Sequence, residues 1–216
     1  MTTQTIGLRE SKKRETRQAI SDHATRLFIE HGFDRTTIAD IAAASRVAKM
    51  TVTNYFPRKE DLALDHHEEF TAGPARAVTA RLPGESALTA LRRDFLDAAR
   101  RHDPVIGFSG LPFARMITGS PTLVARLREL HELREDALAA VLAAETGAAP
   151  DDVIPRAAAV QLVGALRVLF REVLNRTLDG ESPEEIAPAV AARAVTVFGL
   201  LEPALGDYAT RPAGQR

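Results

Sequence analysis

The four residues Thr37-Ile38-Ala39-Asp40 constrain this chain more tightly than any other stretch of it. A threonine whose hydroxyl accepts a backbone N–H, with a carboxylate three residues later that reaches back, is a reciprocal helix start. A short helix is therefore expected over about residues 38 to 44. The next helix fits Ala48 to Tyr55 and ends where Pro57 drives Phe56 out of the helical region. Ile38 and Ile41 on the first and Val47 and Val52 on the second supply facing apolar sides. The pair then closes into a helix-turn-helix whose second member can enter a DNA major groove.

That geometry leaves Lys49, Met50, Thr51, Thr53 and Asn54 on the outer and leading faces of the second helix. Threonine can touch a thymine methyl or a phosphate, asparagine can pair with an adenine edge, and the Tyr55 phenol can donate to a phosphate oxygen. Lys59 stands in the first turn of the following helix, where the dipole opposes a cation unless an anion lies between the ammonium and the free N–H groups. A DNA phosphate is such an anion. With Thr37 at the start of the first helix, these side chains form the candidate DNA-binding set. The competing reading is ordinary surface chemistry, with Thr53 and Asn54 facing solvent, Tyr55 half-buried and Lys59 balanced by Glu60 and Asp61. The order in which the features occur favours DNA.

Charge divides the chain in the same place. Through residue 60 there are eleven Lys+Arg against seven Asp+Glu, a balance of +4; the remainder has seventeen against twenty-two, or -5, and the two give the net charge of -1. All four lysines, Lys12, Lys13, Lys49 and Lys59, lie in the basic part. The two parts therefore face different surroundings. The absence of cysteine excludes disulfides and thiolate metal sites. The first thirty residues turn charged where a signal peptide needs an apolar run, and no stretch approaches eighteen uninterrupted apolar residues. A cytoplasmic protein with no membrane span is expected.

The rest of the chain reads as helices. Ile20, Ala24, Leu27 and Phe28 form the stripe of an amphipathic helix from near Lys12 to Gly32, and a fourth helix is expected from about Arg58 into the 70s, until Ala72-Gly73-Pro74 disturbs it. Ser86 or Glu85 opens a helix to about His102, "DPVIGFSGLP" is a loop or broken segment, and Ser120-Pro121 starts a helix to about Glu145. Another begins between Pro150 and Pro155 and reaches Leu178; "SPEE" at Ser182 to Glu185 is a second capping box, opening a last helix to about Leu205 before a frayed tail. The fold class is all-α, with an N-terminal three-helix DNA-binding domain over residues 1–60 and a helical domain over 61–216.

Residues Thr36 to Leu62 resemble the DNA-binding signature of TetR-family transcriptional regulators. Thr36 and Thr37 give its threonine pair, Ile41 and Ala42 its "IA", Val47, Lys49 and Thr51 its "VxKxT" turn, Tyr55 and Phe56 its "YF", and Lys59 to Leu62 its "KEDL". Phe28, Gly32 and Phe33 match the segment upstream. The sequence departs at Arg46, where the family often has glycine, so a non-glycine residue must hold the turn. It departs again at Thr53, the first of two common aromatic positions. The resemblance implies a one-component, ligand-responsive homodimer, most simply a repressor that binds a palindromic operator in double-stranded DNA and is released by a small-molecule effector. It implies no cofactor.

The C-terminal part resembles the family in architecture only. Leu162, Leu166 and Leu169 form one broad apolar stripe, and Val190, Ala194, Val197, Phe198 and Leu201 another; both are assigned to a four-helix dimer interface. A hydrophobic effector pocket is placed among Phe95, Phe108, Phe113, Met116, His131 and Phe170, with Gln161 or Arg167 as polar contacts. Aromatics at helical spacing are more often core filler. The broken segment around Phe108 tips the reading towards a gate. A metal site at Asp65 to Phe70 is disfavoured, because adjacent histidines point to different helix faces. The alternative function is a helical-bundle enzyme or carrier for a hydrophobic small molecule.

Overall fold

The computed structural model describes residues 2–213, with side chains from Ser11 onward. Among the described residues every regular element is helical: α1 (Thr2–His31), α2 (Ile38–Ala44), α3 (Lys49–Tyr55), α4 (Lys59–Ala63), α5 (His67–Thr79), α6 (Ala87–Arg100), a 3-10 turn (Pro104–Ile106), α7 (Leu111–Gly119), α8 (Pro121–Thr146), α9 (Ile154–Leu178), α10 (Pro183–Gly199) and α11 (Glu202–Leu205). None of these helices is long and apolar enough to cross a membrane. The chain forms two compact units, Met1–His67 with Arg115–Arg126, and Glu68–Ala114 with Leu127–Arg216.

In the first unit α1 buries Ile20, Ala24 and Phe28 along one face and begins well upstream of Lys12. It ends at Gly32, whose φ of +87° is the left-handed conformation a helix stop requires. Buried Thr36 then donates its hydroxyl to the carbonyls of Gly32 (2.9 Å) and Leu27 (3.3 Å), supplying the partner those groups lose at the helix end. The capping box of α2 closes as its sequence dictates: the Thr37 N–H donates to Asp40 Oδ2 (2.8 Å) and the Asp40 N–H to Thr37 Oγ1 (3.2 Å). Arg46 holds the turn into α3 at φ +56°, the left-handed region in a residue that pays a steric cost there.

The long fourth helix is corrected by the structure. It breaks at Leu64 to His66, and α5 then runs straight through Pro74, which is buried inside it. The break has a tertiary cause. Asp65 accepts the Ser21 hydroxyl (2.6 Å) with a side-chain oxygen, and its carbonyl accepts Arg17 Nη2 (3.4 Å), so α1 fixes this residue outside a helix.

In the second unit α6, α9 and α10 pack on one another around Leu88, Leu91, Phe95, Leu162, Leu166, Leu169, Val190, Ala194 and Phe198. Ser182 and Glu185 complete the second capping box, at 3.4 Å for the Glu185 N–H to the serine oxygen and 2.9 Å for the return bond. The "DPVIGFSGLP" stretch is better packed than a loose gate. Ile106 is buried, and Gly107, at φ +113°, sits where a Cβ would come within 3.1 Å of Val173. The helix expected from Ser182 to Leu205 is split, α10 stopping at Gly199 and the short α11 reaching Leu205, and the chain after it is tied down through Arg211, which exchanges backbone bonds with Gly84 (2.8 Å) and Glu85 (3.0 Å). Residues 214–216 of the expected frayed tail lie outside the described residues.

Candidate functional site

The helix-turn-helix is built around Ile41 and Val52, both fully buried, with Ile38 and Val47 half-buried at its edges. Burial of Val52 fixes the rotation of α3. Lys49, Met50, Thr53 and Asn54 are therefore exposed on one side, Met50 at 69%, while Thr51 and Tyr55 are half-buried beside them. Thr53 turns its hydroxyl back to the Met50 carbonyl (3.1 Å), which leaves its methyl group outward. Asn54 is exposed, and among the described residues no hydrogen bond fixes its amide.

Two members of the predicted set have other structural work. The Thr37 hydroxyl is held by Asp40 Oδ2 at 2.7 Å, and this bond, followed by that from the Thr37 backbone N–H, keeps the Asp40 carboxyl below the usual carboxylate range. Lys59 is half-buried, and its Nζ lies 4.3 Å from the centroid of the Phe33 ring. The ring face supplies the negative potential that the sequence reading sought in a phosphate. Helix α4 itself is only five residues long. Its Asp61 is buried and accepts both Nε (3.0 Å) and Nη2 (2.8 Å) of Arg126 at one oxygen, so the "KEDL" motif anchors α4 to the first turns of α8.

In the second unit His131 and Phe170 of the predicted pocket do meet, with ring centroids 6.1 Å apart and nearly perpendicular. Two residues absent from the predicted set join them. Phe70 of α5 lies edge-on to His131 (5.0 Å) and to Phe170 (5.7 Å), and Arg134 places its guanidinium carbon 4.5 Å from the centroid of the Phe70 ring. Arg134 had a signal in the sequence: it falls in the inward stripe Leu123, Leu127, Leu130, Arg134, Leu138, Leu142 of α8, where an arginine is costly. Burial, then the fields of Arg134, Arg167 and Arg171, push His131 down to about 3, so the imidazole is neutral. The other predicted pocket residues are dispersed. Phe95 is buried in the α6 core, Phe108 stacks on His102 at 5.3 Å, Phe113 is half-buried on α7, Gln161 and Arg167 are exposed on α9, and Met116 belongs to the first unit.

The predicted dimer set is displaced inward. Leu162, Leu166, Leu169, Val190, Ala194 and Phe198 are buried within the single chain, while Val197 and Leu201 are half-buried against the same core. These stripes are spent on holding α9 and α10 to α6. The opposite faces carry the unburied apolar side chains: Ile154, Val160 and Val168 on α9, with Val153 just before it, and Val195 on α10, with Leu200 just after it, the last 77% exposed.

Comparison with known proteins bears on both units. Residues 20–65 match the family model described as bacterial regulatory proteins, tetR family, and residues 85–191 match that of the MftR C-terminal domain. The chain is 30% identical over 172 residues to the HTH-type transcriptional regulator TcmR of Streptomyces glaucescens, covering 77% of this chain and 76% of that one. It is 29% identical over 122 residues to the HTH-type transcriptional repressor AcnR of Corynebacterium diphtheriae, covering 56% and 60% respectively. Among solved structures, the SmeT–triclosan complex shares the fold with a TM-score of 0.57 at 18% identity, over 93% of this chain and 96% of that one.

Proposed function

The chain belongs to the TetR family of bacterial regulatory proteins and is a DNA-binding transcriptional regulator, not an enzyme; from that premise we propose that it is a repressor that binds a palindromic operator as a homodimer and is released by a small-molecule effector. The observation that carries this reading is the exposed row Lys49, Met50, Thr53 and Asn54 on a helix whose rotation is fixed by buried Val52. Asn54 and Thr51 read bases, Met50 and the Thr53 methyl touch thymine methyls, and Tyr55 and Lys59 meet phosphates while Lys59 keeps its Phe33 contact. Thr37 acts as a cap whose backbone N–H is already engaged, so any phosphate contact there is secondary. The related AcnR is a repressor, which favours repression over activation.

The dimer uses the faces of α9 and α10 that the core does not. Val160, Gly164 and Val168 on α9 and Pro188, Ala192, Val195 and Gly199 on α10 give each helix a small, apolar outer stripe at helical spacing. Two such helices per subunit make a self-complementary four-helix contact. Residues 1–60 serve DNA and 61–216 serve dimerisation and effector. The effector selects a dimer conformation in which the recognition helices no longer match major grooves about 34–36 Å apart. A coupling of about 1–3 kcal/mol lowers operator affinity about 5- to 150-fold.

The test is an electrophoretic shift of the DNA upstream of the protein's own gene at moderate salt, followed by footprinting. A two-fold symmetric protected site is expected. Absence of binding, or binding with no sequence preference, overturns the reading.

A further inference from the structure

Three polar atoms in the second unit are buried and have no hydrogen-bond partner among the described residues, the Tyr208 hydroxyl and two that lie together: Nδ1 of His131 and Nε of Arg134. Their side chains lie one turn apart on α8, and the two residues are 4% and 5% exposed. They share their surroundings, because Phe70 contacts both, and Phe170 closes the other side of the imidazole. Folded proteins rarely leave such groups unmet, since each unsatisfied buried donor carries its full desolvation cost. The missing partner is therefore to be sought outside the chain.

The chemistry of the site restricts that partner. A guanidinium only donates, so Arg134 needs an acceptor, and a charged group in so dry a place needs a negative one. Asp94 of α6 is the carboxylate whose field reaches Arg134, and it makes no hydrogen bond to it among the described residues. Arg167 and Arg171, three residues before and one after Phe170 on α9, add positive field at the imidazole. A cation is repelled there. A neutral hydrocarbon fits the rings and leaves Nε unmet. Phe70 and Phe170, packed edge-to-face at 5.7 Å, make the wall beside the imidazole apolar and aromatic.

We propose that the effector is a flat apolar acid, an aryl carboxylate or an acidic phenol, whose anionic oxygen takes the Arg134 guanidinium, whose second polar group meets His131 Nδ1, and whose ring lies against Phe70 and Phe170. This deepens the effector-release reading and rests on it. Arg126, which holds Asp61 of α4, stands two turns before Arg134 on the same helix, so an anion that draws on Arg134 acts on the helix to which the recognition motif is anchored.

The experiment is calorimetric titration of the full-length protein with 2-naphthoate, 2-naphthylmethanol, 2-naphthylmethylamine and acetate. The naphthoate is expected to bind roughly tenfold or more tighter than the alcohol, the ratio one charged hydrogen bond supports, with the amine and acetate weaker still. Arg134→Met should abolish the preference for the acid while leaving alcohol binding within about twofold, and should hold or raise the melting temperature of the free protein, because a buried unmet charge has been replaced by an apolar chain of similar length. Arg134→Lys, which keeps a charge but not the planar fork, should retain a weaker preference for the acid. The proposal is overturned by alcohol or amine binding as tight as the acid, by acid preference surviving Arg134→Met, or by no saturable naphthoate binding. Gel shifts run alongside separate the two readings. DNA released by the alcohol but not by the acid sinks this inference and leaves the regulator intact, whereas a protein that binds naphthoate but no DNA sinks the regulator.

Discussion

The two units leave their open polar chemistry in different places, the first mainly on its surface and the second in its interior. In the first, Thr37 is answered by Asp40 and Thr36 by the carbonyls at the end of α1, both within a few residues, and Asp61 by the distant Arg126. What remains outward, Lys49, Met50, Thr53 and Asn54, is exposed. In the second, buried Arg81 is met by the Val78 and Ala209 carbonyls and by Glu145, whereas His131 Nδ1, Arg134 Nε and the Tyr208 hydroxyl have no hydrogen-bond partner among the described residues. A DNA surface is large, regular and wet, so a reader of it needs donors held in water on a rigid scaffold. A small effector must be enclosed, so its site is dry and incomplete until filled. On the proposed reading, specificity for DNA is written on the outside of one unit and specificity for the effector into the interior of the other.

The largest effect that tests this contrast separates the inner and outer faces of α10. Phe198→Glu buries a carboxylate in the core of the second unit and should cost on the order of 5 kcal/mol or more, enough to melt that unit. Val195→Glu, three residues earlier on the exposed side, should leave stability within about 0.5 kcal/mol but split the dimer and lower operator affinity by roughly a hundredfold, through loss of the linked second half-site. Circular dichroism and light scattering on both variants decide it. A monomeric, folded Phe198→Glu would reverse the assignment of the two faces.

The next effect lies in the first unit. Arg126→Met leaves Asp61 buried beside an apolar chain and should destabilise by about 3–5 kcal/mol, read from urea unfolding; Asp61→Leu combined with Arg126→Met should recover most of that loss. If the ion pair only staples α4, the double variant binds DNA normally and still responds to effector. Loss of the effector response with DNA binding intact would make the pair a part of the switch.

How much of this was legible in the sequence follows from the range of the forces involved. The bounds of α2 and α3 depend on Thr37, Asp40 and Pro57, all within a few residues of what they control, and the sequence places them almost to the residue. The break at Leu64 depends on Ser21 and Arg17, more than forty residues away, and left no mark in the hydrophobic pattern. The broad apolar helices α9 and α10 announce two buried faces without saying which neighbour takes which. The residues of the proposed effector site come from α5, α8 and α9, and only the assembled packing shows that Phe70 and Arg134 lie with His131 and Phe170, whereas Phe95 and Gln161 do not.

A smaller effect sharpens the outward side. Asn54→Ala should relax base preference at one position per half-site at about 1–3 kcal/mol, with the salt dependence of binding unchanged. Tyr55→Phe and Lys59→Ala should weaken binding to every sequence alike, and Lys59→Ala should reduce the magnitude of the salt slope by about one. Selected-sequence binding at two salt concentrations checks both. A change in base preference from Lys59→Ala would mean that its position over Phe33 aims it at bases.

The smallest effect belongs to the inward side and comes from a single proton. His131 is pushed down to about 3 in the folded chain, first by burial and then by its three arginine neighbours, against an ordinary value of 6.5. Between those two values the unfolded chain binds a proton that the folded chain refuses, so stability is complete above pH 6.5 and falls as the pH drops towards 3. The slope is at most about 1.4 kcal/mol per pH unit, and going from pH 7.5 to 5.5 should cost about that much. The first unit has no counterpart, since none of its histidines among the described residues is buried. Hydrogen exchange resolved by segment at the two pH values should therefore show α8 and α9 weakening beyond α5 while α2 and α3 hold, and His131→Gln should remove the difference. Equal weakening of both units, or a slope that survives His131→Gln, would mean that the imidazole is not the dry, neutral group on which the contrast between the units depends.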